Sequence, residues 1–128
     1  MGQLKKGNIY NIDKYYTYNI SNNGNIESND WGKLQYEIID IKRTNVKNYY
    51  IVGLKASFND NDKKPASQIY LSMYNKKNKI FNSIEPATKD EGWALVKLKI
   101  LCNGKMRVQY LEASENSMMY IVDLKKVN

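Results

Sequence analysis

Glu91-Gly92-Trp93-Ala94-Leu95-Val96-Lys97-Leu98-Lys99-Ile100-Leu101-Cys102-Asn103-Gly104-Lys105-Met106-Arg107-Val108-Gln109-Tyr110-Leu111 is the stretch whose reading decides the fold. Two alternating runs meet at Asn103-Gly104. Asn-Gly between period-2 runs marks a β-hairpin, because both residues accept the positive φ of a tight reversal. A two-residue loop would set Ile100 against Arg107 and mix core with solvent residues on both faces. A three-residue loop, Cys102-Asn103-Gly104 with Gly104 as a left-handed bulge, pairs Ile100 with Met106, Leu98 with Val108 and Val96 with Tyr110. One face is then wholly apolar, and the other carries Lys97, Lys99, Lys105, Arg107 and Gln109. Lys99 lies opposite Arg107, a like-charge pair that belongs on a solvated surface or beside an anion.

Outward from the hairpin, other runs alternate in the same way. Tyr50, Val52, Leu54, Ala56 and Phe58 share one face over nine positions, and Gly53 on the other face leaves room for a neighbour such as an aromatic ring. Leu34, Tyr36 and Ile38 share a face before Ile39 and Ile41 change phase, which predicts a β-bulge near Ile38-Ile39. Ile69, Leu71 and Met73 read as core, with Tyr70, Ser72 and Tyr74 facing outward. Residues 9–20 read as a Tyr-rich strand or strand pair ended by the turn at 21–25. A short run at 80–84 and a closing strand at 118–127 complete about eight strands, and no stretch has helical periodicity. The expected fold is all-β, a single domain over 1–128 built as a two-sheet antiparallel β-sandwich of the jelly-roll kind.

Composition narrows the function classes. The chain has 20 Lys and Arg against 13 Asp and Glu, a net charge of +7, and residues 1–40 hold four lysines against five acids. The positive charge therefore belongs to the later strands. Such a domain favours anionic polymers, anionic surfaces or nucleic acid. With two Arg in the whole chain, bidentate grip on phosphates and bases is scarce, and nucleic acid is the least favoured of the three. The Asn-, Lys-, Ile- and Tyr-rich composition is also what AT-rich coding produces.

There is no His, and Cys102 is the sole cysteine. That excludes a disulfide within the chain, a Cys-based zinc site and the usual general base. No carboxylate pair has a spacing that marks a glycosidase, so a non-enzymatic protein without cofactor is expected. Cys102 reads as a small apolar residue. The N-terminus has no apolar core of a secretory signal, and no run reaches membrane-spanning length. Synthesis in the cytoplasm is the expectation, with virion association open.

Three candidate sites follow. The first is the basic hairpin face, Lys97, Lys99, Lys105, Arg107 and Gln109, with Trp93 nearby and Trp31 as a second stacking ring for a sugar. The second is the tyrosine set Tyr15, Tyr16, Tyr18, Tyr49, Tyr70 and Tyr74, a ligand platform or protein interface if exposed. The third is Asn59-Asp60-Asn61-Asp62, where Asp60 and Asp62 offer hard oxygen ligands to calcium. It lacks the Gly and the downstream Glu of an EF-hand and reads better as a turn.

The run from Glu91-Gly92-Trp93 through Asn103-Gly104 to Tyr110 resembles the "G-W, alternating strand, N-G, alternating strand" signature of jelly-roll carbohydrate-binding and laminin-G-like modules. Phage tail and baseplate proteins carry similar small sandwiches. The resemblance implies a binding module for a glycan or anionic cell-surface polymer, as in a receptor-binding component. The alternative is a protein-interaction or assembly part, such as a virion component or an inhibitor of a host protein, with a homo-oligomer open.

Overall fold

The computed structural model describes residues 4–59, 66–86, 93–113 and 119–128. Among the described residues ten strands follow in order: β1 Ile9–Ile12, β2 Tyr15–Ile20, β3 Ile26–Trp31, β4 Lys33–Arg43, β5 Tyr49–Asn59, β6 Ala66–Asn75, β7 Ile80–Pro86, β8 Trp93–Ile100, β9 Met106–Ala113 and β10 Tyr120–Lys126. The chain is all-β, but its main sheet closes on itself. β4 to β10 form a meander, each strand antiparallel to the next, and β1 pairs with both β10 and β4. The result is an eight-stranded up-and-down barrel where two facing sheets were expected. Closure comes from β1, only four residues long, which fills the gap between the first and last strands of the meander. It leaves no free sheet edge there. Backbone bonds from Ile9 N–H to the Asn128 carbonyl (3.0 Å) and from Val127 N–H to the Ile9 carbonyl (2.8 Å) extend the seam.

The opening hairpin has the expected register. Ile100 faces Met106, Leu98 faces Val108, Val96 faces Tyr110 and Lys99 faces Arg107. Gly104 has φ +85°. Leu101 N–H bonds the Lys105 carbonyl (2.8 Å) and Gly104 N–H bonds the Leu101 carbonyl (2.9 Å), the pattern of a three-residue loop with a glycine bulge. Cys102 is exposed on this loop, not packed as a small apolar residue, because the turn lifts it clear of the wall.

The bulge in β4 is also where the alternation placed it. The β4–β5 register shifts between Ile38 and Asp40, and Ile41 thereby returns to the inner face opposite Val52. The neighbour of Gly53 is this bulge and not an aromatic ring. A Cβ at Gly53 would lie 3.7 Å from the Asp40 nitrogen and 3.8 Å from the Ile39 Cβ, ordinary contact distances.

One strand has the opposite phase to that expected. In β6, Tyr70, Ser72 and Tyr74 are buried, whereas Ile69, Leu71 and Met73 are exposed. Register explains it: Tyr70 sits opposite Leu54 and Ser72 opposite Val52, and both β5 partners are fully buried. Residues opposite each other share a face. Tyrosine suits a barrel interior of this size, since eight strands enclose a space that side chains must fill. The Tyr74 ring packs 4.5 Å from that of Phe81. Burial, with Tyr10 as a weaker second cause, pushes the Tyr74 hydroxyl up to about 12. Burial also raises Tyr10, opposed in part by the bond that Asn8 Nδ2 donates to its hydroxyl (3.4 Å).

The remaining pair, β2–β3, is a hairpin inserted between β1 and β4. It forms a separate two-stranded sheet joined to the barrel at β10, where Tyr18 and Met119 exchange backbone bonds of 2.8 Å. Its inner face seats Tyr15 and Thr17, and Tyr15 lies 5.1 Å from Tyr120, which stacks on Tyr110 at 5.0 Å.

Candidate functional site: a lysine rim at one end of the barrel

An up-and-down barrel sends every second connection to the same end. At one end lie the N-terminal segment 4–8, the β4–β5 loop 44–48, the β6–β7 turn 76–79, the β8–β9 loop 101–105 and the residues closing β10, 125–128. These segments contain Lys5, Lys6, Lys47, Lys76, Lys77, Lys79, Lys105, Lys125 and Lys126 and not one Asp or Glu. Hydrogen bonds join neighbouring segments of this end. Lys76 N–H bonds the Asn48 carbonyl (2.8 Å), Ile100 N–H bonds the Lys79 carbonyl (3.0 Å), and Asn128 Nδ2 bonds the Gly7 carbonyl (3.3 Å). Seven of the nine lysines are exposed, with Lys79 and Lys105 half-buried. Among the described residues none is in an ion pair.

Asparagine side chains shape the turns of the rim. Asn75, Asn78 and Asn103 each accept a backbone N–H two residues on, from Lys77 (2.9 Å), Ile80 (3.1 Å) and Lys105 (3.0 Å). Asparagine side chains that mimic a backbone turn in this way fix short loops without charge. Of the lysines beside them, Lys76 and Lys77 are exposed and Lys79 and Lys105 half-buried.

The opposite end differs in sign. There β1 leads into β2 and β3 returns to β4, and the described residues carry Asp13, Glu27 and Asp30 against Lys14 and Lys33. Lys14 Nζ is 3.2 Å from Asp30 and also lies over the Tyr16 ring at 5.7 Å.

The residues singled out from sequence distribute as follows. Lys97, Lys99 and Arg107 are exposed on the outer wall with Gln109 half-buried beside them, as the hairpin register requires. Lys105 belongs to the rim. The Lys99–Arg107 pair has its anion within the protein: Arg107 makes a two-bond fork to Asp123, Nε to Oδ1 at 2.8 Å and Nη2 to Oδ2 at 3.1 Å. That bond holds the Asp123 carboxyl below the usual range and raises the Arg107 guanidinium. Arg107 is therefore already engaged.

Tyr15, Tyr70 and Tyr74 are withdrawn from the surface set, since all three are buried in the core for the reasons of register given above. Tyr16 and Tyr18 are exposed on the β2–β3 hairpin and Tyr49 is half-buried. Trp31 and Trp93 lie in β3 and β8, but their side chains are outside the described residues, as are Asp60 and Asp62. Among the described residues no three His, Cys, Asp or Glu side chains converge as metal ligands, and no helix is long and apolar enough to cross a membrane.

Eight of the nine rim lysines stand outside the sequence-derived basic face, which shares only Lys105 with the rim. A signal for the rest exists, because they cluster in alternate connections. It becomes readable only once the strands are known to run up and down in order.

The fold and site define a class: a small closed β-barrel with one lysine-rich end. No family model, curated protein or solved structure matches the chain.

Proposed function

We propose that this protein is a non-catalytic binding module whose lysine rim engages an anionic polymer, of the kind displayed on cell surfaces. The observation that supports this most is the segregation of charge: nine lysines and no acid in five segments brought to one end. AT-rich coding accounts for how many lysines there are, not for their sorting by barrel end. A cluster of cations with no ion pair among the described residues costs self-repulsion and concentrates counter-ions, which a polyanion displaces. Lysine brings point charges and not planar forks, so it suits a flexible, charge-dense chain better than base edges. The chain has no His, the usual general base.

Titration calorimetry against poly(glycerol phosphate) and polygalacturonate tests the reading. Binding of at least one is expected, weakening steeply as salt rises from about 50 to 200 mM. No heat with either at the lower salt contradicts it. Duplex DNA competing as well as the polymer would move the assignment to nucleic acid.

A second reading, a protein-interaction or assembly component, is favoured by one separate observation. Ile69 (70 % exposed), Leu71 (71 %) and Met73 (44 %) form an apolar strip on the outer wall of β6. Strips of this kind mark interaction surfaces.

A further inference from the structure

Asn23-Gly24 and Asn103-Gly104 each set a glycine nitrogen beside an asparagine side-chain amide, the arrangement in which a backbone can attack its own side chain. Glycine has no Cβ to hinder that approach. The two turns share most of their geometry. Gly24 has φ +86° and its N–H bonds the Ser21 carbonyl at 2.9 Å, while Gly104 has φ +85° and its N–H bonds the Leu101 carbonyl at 2.9 Å. Each nitrogen must give up the same bond, and then its proton, before it attacks. Neither turn gains from that step.

They differ at the carbonyl under attack. Asn103 Oδ1 accepts the Lys105 N–H (3.0 Å). Asn23 Oδ1 accepts the Asn25 N–H (3.2 Å) and, in addition, the Ser21 hydroxyl, whose oxygen also lies 3.2 Å from the Asn25 carbonyl. In the β8–β9 loop the position of Ser21 is taken by Leu101, which has no hydroxyl to donate. Attack on Cγ moves negative charge onto Oδ1, and a donor already aimed at that oxygen stabilises it. The surroundings add to the contrast. Residues 22–30 are all exposed, whereas Ile100 and Met106 anchor the other turn in the core, so local opening comes more readily at Gly24.

We propose that Asn23 is a site of spontaneous deamidation, with the Ser21 hydroxyl as the donor that sets it apart from Asn103. Hydroxide takes the Gly24 N–H proton, and the nitrogen bonds to Asn23 Cγ. The Cγ–Nδ2 bond breaks, and the amide nitrogen takes a proton from water and leaves as ammonia. Water then opens the cyclic imide at either carbonyl, giving an aspartyl or isoaspartyl residue at position 23 with one new carboxylate. The net charge of +7 falls by one on the β2–β3 hairpin, outside the rim segments. The rim keeps Asn103 as a neutral amide, and the inference does not depend on polymer binding.

Incubating the full chain at mildly alkaline pH and mapping its peptides by mass spectrometry tests this, with Asn103 as the internal standard in the same molecule. Asn23 is expected to convert at least about threefold faster than Asn103. Ser21→Ala should slow Asn23 by about threefold to tenfold, the worth of one exposed hydrogen bond, and Ser21→Thr, which keeps a hydroxyl, should restore the rate. Far-UV circular dichroism checks that both variants fold. In concentrated urea the two asparagines should convert at similar rates, since the donor is then lost. A wild type in which Asn103 converts as fast as Asn23 overturns the proposal, as does a difference that persists in urea. So does a Ser21→Ala variant that converts at Asn23 as fast as wild type or faster, because the hydroxyl would then merely restrain the turn.

Discussion

The two Asn-Gly hairpins of this protein have the same turn and opposite fates. In β8–β9 the loop is Leu101-Cys102-Asn103-Gly104-Lys105, and in β2–β3 it is Ser21-Asn22-Asn23-Gly24-Asn25. Gly104 and Gly24 have φ of +85° and +86°. Ser21 N–H bonds the Asn25 carbonyl and Gly24 N–H bonds the Ser21 carbonyl, matching the pair at Leu101 and Gly104. Asn23 accepts the Asn25 N–H (3.2 Å) as Asn103 accepts that of Lys105, and also takes a bond from the Ser21 hydroxyl. Yet β8–β9 is part of the barrel wall and β2–β3 stands off it. The difference lies in the strands. Val96, Leu98, Ile100, Met106 and Val108 give β8–β9 a continuous buried face, whereas β3 has residues 26–30 exposed on both faces. Turn chemistry makes a hairpin; alternation decides whether a barrel takes it up.

The largest effect expected from that contrast is in the walls. Leu98→Ala should destabilise the fold by about 2–5 kcal/mol by emptying a fully buried site, while Ile26→Ala at the exposed tip should cost under about 0.5 kcal/mol. Urea denaturation of both variants measures this. Comparable losses would mean that the hairpin is as much a part of the core as the wall.

Alkaline pH probes the barrel side next. Because Tyr74 holds its proton to about 12 when folded and to the ordinary tyrosine value of 10.0 when exposed, the unfolded state loses the proton first. Stability contributed by this group is complete below pH 10 and falls between pH 10 and 12, by about 1.4 kcal/mol per pH unit. Tyr74→Phe should flatten that part of the stability profile.

The turns themselves come third. Alanine at either glycine meets the same left-handed strain, about 1–2 kcal/mol. Gly104→Ala should register in global unfolding, whereas Gly24→Ala should register in amide exchange of β2 and β3 with a smaller global change. The smallest effect is at Asp123, whose fork to Arg107 is on the surface. Asp123→Asn should cost no more than about 1 kcal/mol near neutral pH. The pair's contribution is present above the unfolded carboxylate's range and fades as pH falls through the lower folded value.

Much of this architecture was legible where a single strand pair carries its own signal. The β8–β9 register, the Gly104 bulge and the β4 bulge all follow from period-2 patterning with turn chemistry. Closure was not legible, because Tyr10 pairing with Tyr36 and with Lys126 joins segments that share no local pattern. Nor was the phase of β6: Ile69, Leu71 and Met73 outrank Tyr70, Ser72 and Tyr74 in hydrophobicity, and only the partners on β5 decide which set turns inward. β3 was missed for want of any apolar alternation. At the site, the hairpin register placed Lys97, Lys99 and Arg107 on the exposed wall, with Lys105 and Gln109 half-buried, but the fork to Asp123 and the gathering of lysines from five segments depend on contacts across the barrel.

Charge location, as opposed to total charge, is the central claim, and one paired comparison tests it most directly. Lys76→Glu/Lys77→Glu/Lys105→Glu alters the rim, and Lys33→Glu/Lys55→Glu/Lys97→Glu alters other positions, leaving two variants of equal net charge. Affinity for poly(glycerol phosphate) should fall more than tenfold in the rim variant, with a shallower dependence on log salt, and stay within about threefold of wild type in the other. Equal losses in the two variants would show that the positive charge acts diffusely and that the rim is not a site.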